Sequence, residues 1–88
     1  MLYPDLVAQV NREYDDTHEP IEIVDVDLYK PGILSLKVKV AYTKPHTVWL
    51  TTEDGSIQWL HHSSYLFESS YERAERAIKR LRDLIRAK

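Results

Sequence analysis

The apolar positions of this chain change spacing twice, from helical to alternating and back to helical. Leu6, Val7, Val10 and Tyr14 recur every three or four residues, which places them on one side of a helix from Pro4 to about Tyr14. Pro4 suits the first turn, where its missing N–H would have no partner, and Asp5 complements the positive helix end. Asp15, Asp16, Thr17, His18, Glu19 and Pro20 then interrupt the pattern as a polar linker.

Alternation begins at Ile21 and runs to Tyr29, but its phase shifts: Ile21 and Ile23 are odd, Val26 and Leu28 even. One extra residue near Val24–Asp25, a β-bulge, would keep all four on one face. Lys30-Pro31-Gly32 supplies a turn, and Leu34 to Tyr42 alternates without error, with Leu34, Leu36, Val38, Val40 and Tyr42 inward. Pairing Leu28 with Leu36 and Val26 with Val38 would also set Asp27 against Lys37 and Asp25 against Lys39. After Lys44-Pro45-His46, a third strand runs from Thr47 to Thr52. Asp54-Gly55 signals a two-residue hairpin loop, which would pair Leu50 with Trp59, Val48 with His61 and Thr52 with Ile57. Trp59 is then inside. The opposite face collects Thr47, Trp49, Thr51, Gln58, Leu60 and His62.

His61-His62-Ser63-Ser64 ends the strands, and Tyr65-Leu66-Phe67 is a short apolar bridge. Tyr71, Ala74, Ile78, Leu81 and Ile85 follow at steps of three and four, flanked by Ala77 and Leu84. They define a long amphipathic helix, and Ser69-x-x-Glu72 has the spacing of a capping box. The pattern therefore predicts one α+β domain over residues 1–88, a four-stranded antiparallel meander with the N-terminal and C-terminal helices on one face. On this phase Leu81→Asp should be severe and Arg82→Ala near neutral.

Charge adds a polarity to that layout. Residues 1–30 carry eight acids and two bases, a net of −6, whereas residues 69–88 carry three acids and seven bases, a net of +4. The basic helix, with Arg73, Arg76, Lys79, Arg80, Arg82, Arg86 and Lys88, could hold phosphates, an acidic partner or an anionic surface. Its bases could equally complement the helix C-terminus and pair as Glu72–Arg76 and Glu75–Lys79. The acidic end could bind a divalent ion through Asp15, Asp16 and Glu19, although no calcium-loop spacing is present. It could also attract the basic helix, within one chain or between two.

The remaining composition mostly excludes. The chain has no Cys, which removes disulfides, thiolate metal sites and thiol nucleophiles together. No phosphate loop, zinc-hydrolase spacing or serine elbow occurs. His61 and His62, adjacent on a strand, would point to opposite faces. No apolar run approaches a bilayer span and no signal-peptide pattern opens the chain, so a cytoplasmic protein without a membrane partner, metal or cofactor is expected. An enzyme is not expected.

The segment His46-Thr47-Val48-Trp49-Leu50-Thr51-Thr52-Glu53-Asp54-Gly55 resembles the sheet hairpin of frataxins, which also have an acidic first helix and strand. That resemblance covers about ten residues. It implies an αβ-sandwich in which a sheet-face Trp and an acidic ridge serve partner contact and iron binding. The helix–strands–helix order with a basic last helix is similar to double-stranded-RNA-binding domains, whose final helix opens with a Lys-rich segment. Here that stretch is Glu68-Ser69-Ser70-Tyr71-Glu72, and the bases come later.

The reading with most residues behind it is a small non-enzymatic protein–protein interaction module, such as an accessory or regulatory protein, a phage-type inhibitor or a subunit of a larger complex. Trp49, Leu60, Thr51 and Gln58 would form its contact face, with Ala41 alongside, and Arg76, Lys79 and Arg80 would add steering. Nucleic-acid binding through the basic helix is the alternative, and a homodimer would cover the same outer face.

Overall fold

The computed structural model describes residues 1–15, 18–60 and 67–87. Expectations placed on Asp16, Thr17, His61, His62, Ser63, Ser64, Tyr65, Leu66 and Lys88 lie outside them. The elements are α1 (Pro4–Glu13), β1 (Ile21–Lys30), β2 (Ile33–Val40), β3 (His46–Thr51), β4 (Ile57–Trp59) and α2 (Glu68–Arg86). The strands form one antiparallel sheet in sequential order, with both helices packed on one face, the α+β architecture that the pattern predicts.

The core lies between the helices and the inward face of the sheet. Alternation delivers Val26, Leu36, Val38, Val40, Val48 and Leu50 to it, and the helical stripe delivers Val10, Ala74, Ala77, Ile78 and Leu81. Each large aliphatic side chain buried there is worth about 1.5–3 kcal/mol. Leu28 and Tyr42, expected inside, are outside, 62% and 76% exposed. Leu28 keeps the inward phase, opposite buried Leu34, but it lies on an edge strand past the point where Leu2 donates to the Val26 carbonyl at 2.8 Å. The cover ends before it. Tyr42 follows Ala41, whose φ of 54° breaks the extended backbone, so the strand's alternation stops at Val40.

Both hairpins close two residues away from the expected register. Val26 pairs with Leu36 and Leu28 with Leu34, while Val48 pairs with Trp59 and Leu50 with Ile57. In the first hairpin, Pro31-Gly32 makes a two-residue turn in which Gly32 takes φ 83°, a region Gly enters without steric cost. In the second, the loop is the four residues Thr52–Gly55. Gly55 closes it at φ 78°, with its N–H donating to the Thr51 carbonyl at 2.9 Å. The Asp54 carboxylate accepts from the Ser56 N–H at 2.9 Å, which pulls its pKa below the ordinary value. A shift of two preserves every face assignment, so the core survives while the cross-strand partners change. Asp25 now faces Lys37, Glu22 faces Lys39, and Asp27 faces Ser35.

β1 contains the expected bulge: Ile23 faces Val38 and Asp25 faces Lys37, leaving Val24 unpaired. A second irregularity leaves Tyr29 unpaired between Leu28 and Lys30. The free edge of this strand is partly closed from α1. Asn11 spans both polar groups of Ile23, accepting from its N–H at 2.8 Å and donating to its carbonyl at 3.1 Å, much as a neighbouring strand would.

α2 starts at Glu68, one residue before the expected Ser69, and Phe67 is its N-cap without a side-chain capping bond. The capping box is therefore absent. Ser70 is buried instead, its hydroxyl donating to Glu19 at 3.3 Å.

Candidate functional site

The outer face of the sheet carries no covering element among the described residues. One cross-strand row runs Asp27, Ser35, Trp49 and Gln58, and the next holds Lys37, Thr47 and Leu60, with Leu60 donating its N–H to the Thr47 carbonyl at 3.1 Å. Trp49, Leu60, Thr51 and Gln58 thus share one face. On β3 and β4 that face contains no ionisable side chain.

The centre of the face differs from expectation. Ala41 has left the sheet, and the neighbour of Trp49 is Tyr29, stacked on the indole with ring centroids 4.4 Å apart and planes 18° apart. Tyr29 is the residue that the second irregularity of β1 leaves unpaired. Such bulges re-aim side chains, and this one turns Tyr29 across β2 toward Trp49. An offset aromatic pair of this kind adds about 0.5–1.5 kcal/mol beyond area burial. Tyr29 remains 45% exposed, so the stack presents an aromatic surface to solvent. The Lys30 ammonium lies over that ring, 5.2 Å from its centroid.

Trp59 occupies the other side of the sheet. Its indole N–H donates to the Glu75 carboxylate at 2.9 Å, and its ring meets Tyr71 edge-on at 4.9 Å. Glu75 is thereby turned to the core rim rather than paired with Lys79. His46, expected in a turn, opens β3 and is buried, with its ring edge-on to Trp59 and Tyr71. Alternation carried through Val48 and Leu50 would have placed it inward.

The bases of α2 are mostly engaged within the molecule. Arg73 donates to the Glu19 and Tyr14 carbonyls, closing the end of α1 onto α2. Arg80 makes a forked pair with Glu13 at 3.0 and 3.2 Å, which holds the Glu13 carboxyl below and the Arg80 guanidinium above their ordinary pKa values. Arg82 and Arg86 donate to the Thr52 and Glu53 carbonyls of the β3–β4 loop. These are the orphan acceptors of a tight loop, satisfied by cations instead of water. Arg76 and Lys79 are exposed, on the side of the helix that also presents exposed Glu72 and Asp83. That outermost strip is charge-balanced.

The expected binding residues therefore fall on two surfaces. Trp49, Leu60, Thr51 and Gln58 lie on the sheet, while Arg76, Lys79 and Arg80 lie on the helical layer across the core. Sequence reasoning missed Tyr29, although its odd position beside even-phased Leu28 carried the signal. It also missed the roles of Asn11, Arg73 and Arg82, which depend on tertiary approach and leave no periodic trace.

Among the described residues no group of His, Asp and Glu is arranged to hold a metal, and no helix is long and apolar enough to cross a membrane. A cleft lined by Asn11, Arg12, Asp15 and Glu22 and another lined by Tyr3, Thr52, Glu53 and Arg86 are open to solvent, and neither presents a histidine. No protein-family model, curated protein or solved structure matches this chain. The partial likenesses to frataxins and double-stranded-RNA-binding domains thus gain no support as memberships.

Proposed function

We propose that this domain is a non-enzymatic protein–protein interaction module that docks through the outer face of its sheet. The observation that carries the reading is the Tyr29–Trp49 stack. A bulge on β1 aims a half-exposed Tyr at a Trp on the face that neither helix covers, beside an uncharged surface of Thr47, Thr51, Gln58 and Leu60. Aromatic groups framed by uncharged polar ones are the usual centre of a contact patch, with charges at its rim. An accessory subunit or an inhibitor acting in the cytoplasm would use such a face. Nucleic-acid binding through α2 gains less support, because Arg73, Arg80, Arg82 and Arg86 are engaged intramolecularly.

The test is capture of partners by tagged protein from a lysate of its native host, with and without nuclease. A protein that survives nuclease and is lost with both Trp49→Ala and Thr51→Lys is the expected result. Thr51→Lys adds charge to the face without removing packing, so a loss there is not a folding artefact. Nuclease-sensitive capture that depends on Arg76 and Lys79 would transfer the function to α2.

A further inference from the structure

The charge around the aromatic stack narrows the chemistry of the docking partner, on the docking reading just given. In the row through Trp49 the only charged side chain is Asp27. Asp25 and Glu22 each face a lysine across the β1–β2 ladder, whereas Asp27 faces Ser35. Asp27 is exposed and makes no hydrogen bond or ion pair among the described residues. Ser35, a small side chain, is the residue between Asp27 and Trp49 in that row. The Tyr29 ring already receives a cation, the ammonium of exposed Lys30, which makes no ion pair among the described residues.

We infer that the partner inserts one arginine against the Tyr29–Trp49 stack and pairs it with Asp27. A guanidinium is planar, so it can lie on an aromatic face and still present a fork of N–H donors to a carboxylate. An ammonium can do only one of these well. The arginine displaces Lys30, which returns to water at little cost. Around it the partner's segment is uncharged, because Thr47, Thr51, Gln58 and Leu60 offer no counter-ion and a buried unpaired charge is costly. A second cation finds no unopposed carboxylate nearby, since the adjoining row sets Asp25 against Lys37 and a row further along sets Glu22 against Lys39.

Fragment titration followed by 15N NMR tests this on the intact chain. The probes are N-acetyl-arginine amide, N-acetyl-lysine amide and N-acetyl-leucine amide, with the Trp49 indole and the Tyr29 and Asp27 amides as reporters. The arginine probe should move all three signals at millimolar concentration and bind more tightly than the other two. Asp27→Asn, an exposed and nearly isosteric change, should weaken it about fivefold, the upper range for an exposed ion pair. Arginine no better than lysine or leucine, or undiminished in Asp27→Asn, overturns the inference. The docking reading has its own failure: a captured protein partner retained by Trp49→Ala and Thr51→Lys. A partner lost with Trp49→Ala but fully retained by Asp27→Asn would sink the arginine and leave the docking face standing.

Discussion

Each face of this sheet carries one tryptophan, and the two are held in opposite ways. Trp59 is fixed from several directions: its N–H is bonded to Glu75, its ring meets Tyr71 and His46, and the core packs beneath it. Trp49 is held by its strand and by one ring, Tyr29, that is itself half exposed. The polar networks follow the same division. Arginine-to-carbonyl bonds and the Arg80–Glu13 fork all lie on the helical side, whereas the carboxylates and lysines that face each other across β1 and β2 form no ion pairs. One side of the molecule is organised to hold its shape. On the other, few side-chain hydrogen bonds form among the described residues, and one aromatic surface stays half exposed.

The largest effect expected from this contrast is in the core of the covered side. Leu81 is fully buried on α2, and Leu81→Asp would place an unpaired carboxylate there. A loss of about 4 kcal/mol or more, most of the stability of a domain this size, should appear in urea unfolding. A loss below about 1 kcal/mol would mean that α2 presents a different face to the sheet.

Arg82, one residue on, is where the structure revises the sequence expectation of neutrality. Its guanidinium donates to the Thr52 carbonyl at 3.0 Å and lies against Gly55 in the β3–β4 loop. Arg82→Ala should cost about 1.5–3 kcal/mol, the range for a hydrogen bond with a charged donor. Arg76→Ala, on the exposed strip of the same helix, should stay within about 0.5 kcal/mol. Equal effects of the two would remove the distinction between tethering and free bases.

How much of this was legible in the sequence depends on what a repeating pattern encodes. Alternation along Leu34–Val40 and Val48–Leu50 fixed which residues face the core, because a strand's side chains have period two. The same period makes registers that differ by two residues indistinguishable, and both hairpins were misplaced by that amount. Turn geometry decides between them: Gly55 closes a four-residue loop rather than filling a two-residue one. Leu28 shows a second limit, since pattern gives a residue's face but not how far the helices extend over it. The site was half legible. Trp49, Thr51, Gln58 and Leu60 followed from alternation, and the odd position of Tyr29 puts it on the same face, whereas its stacking on Trp49 depends on how β1 bends at an irregularity that no spacing encodes.

On the uncovered side a smaller effect is expected, and it bears directly on Tyr29. Tyr29→Ala should cost about 1 kcal/mol or less, since the stack is exposed. Acrylamide quenching should nevertheless rise at Trp49, read in a Trp59→Phe background, because the ring that shields one indole face is gone. Unchanged quenching would mean that something other than Tyr29 covers Trp49, and a second copy of the chain would then show in the sedimentation of the free protein.

The smallest effect belongs to the exposed rim of the covered side, where electrostatics rather than packing joins the helices. The Arg80 bond holds the Glu13 carboxyl below its ordinary pKa in the folded state. A carboxylate depressed in this way contributes stability that is present above its unfolded pKa and is lost as pH falls through the folded one. The contribution therefore fades on acidification below the usual carboxylate range, and Glu13→Gln should remove that part of the acid limb while leaving neutral-pH stability close to wild type. Salt should shrink the difference further, because both partners are exposed. If Glu13→Gln instead unfolds as steeply as Leu81→Asp, the α1–α2 contact is held by this pair and not by the apolar stripe beneath it, and the division between a packed layer and an electrostatic rim fails.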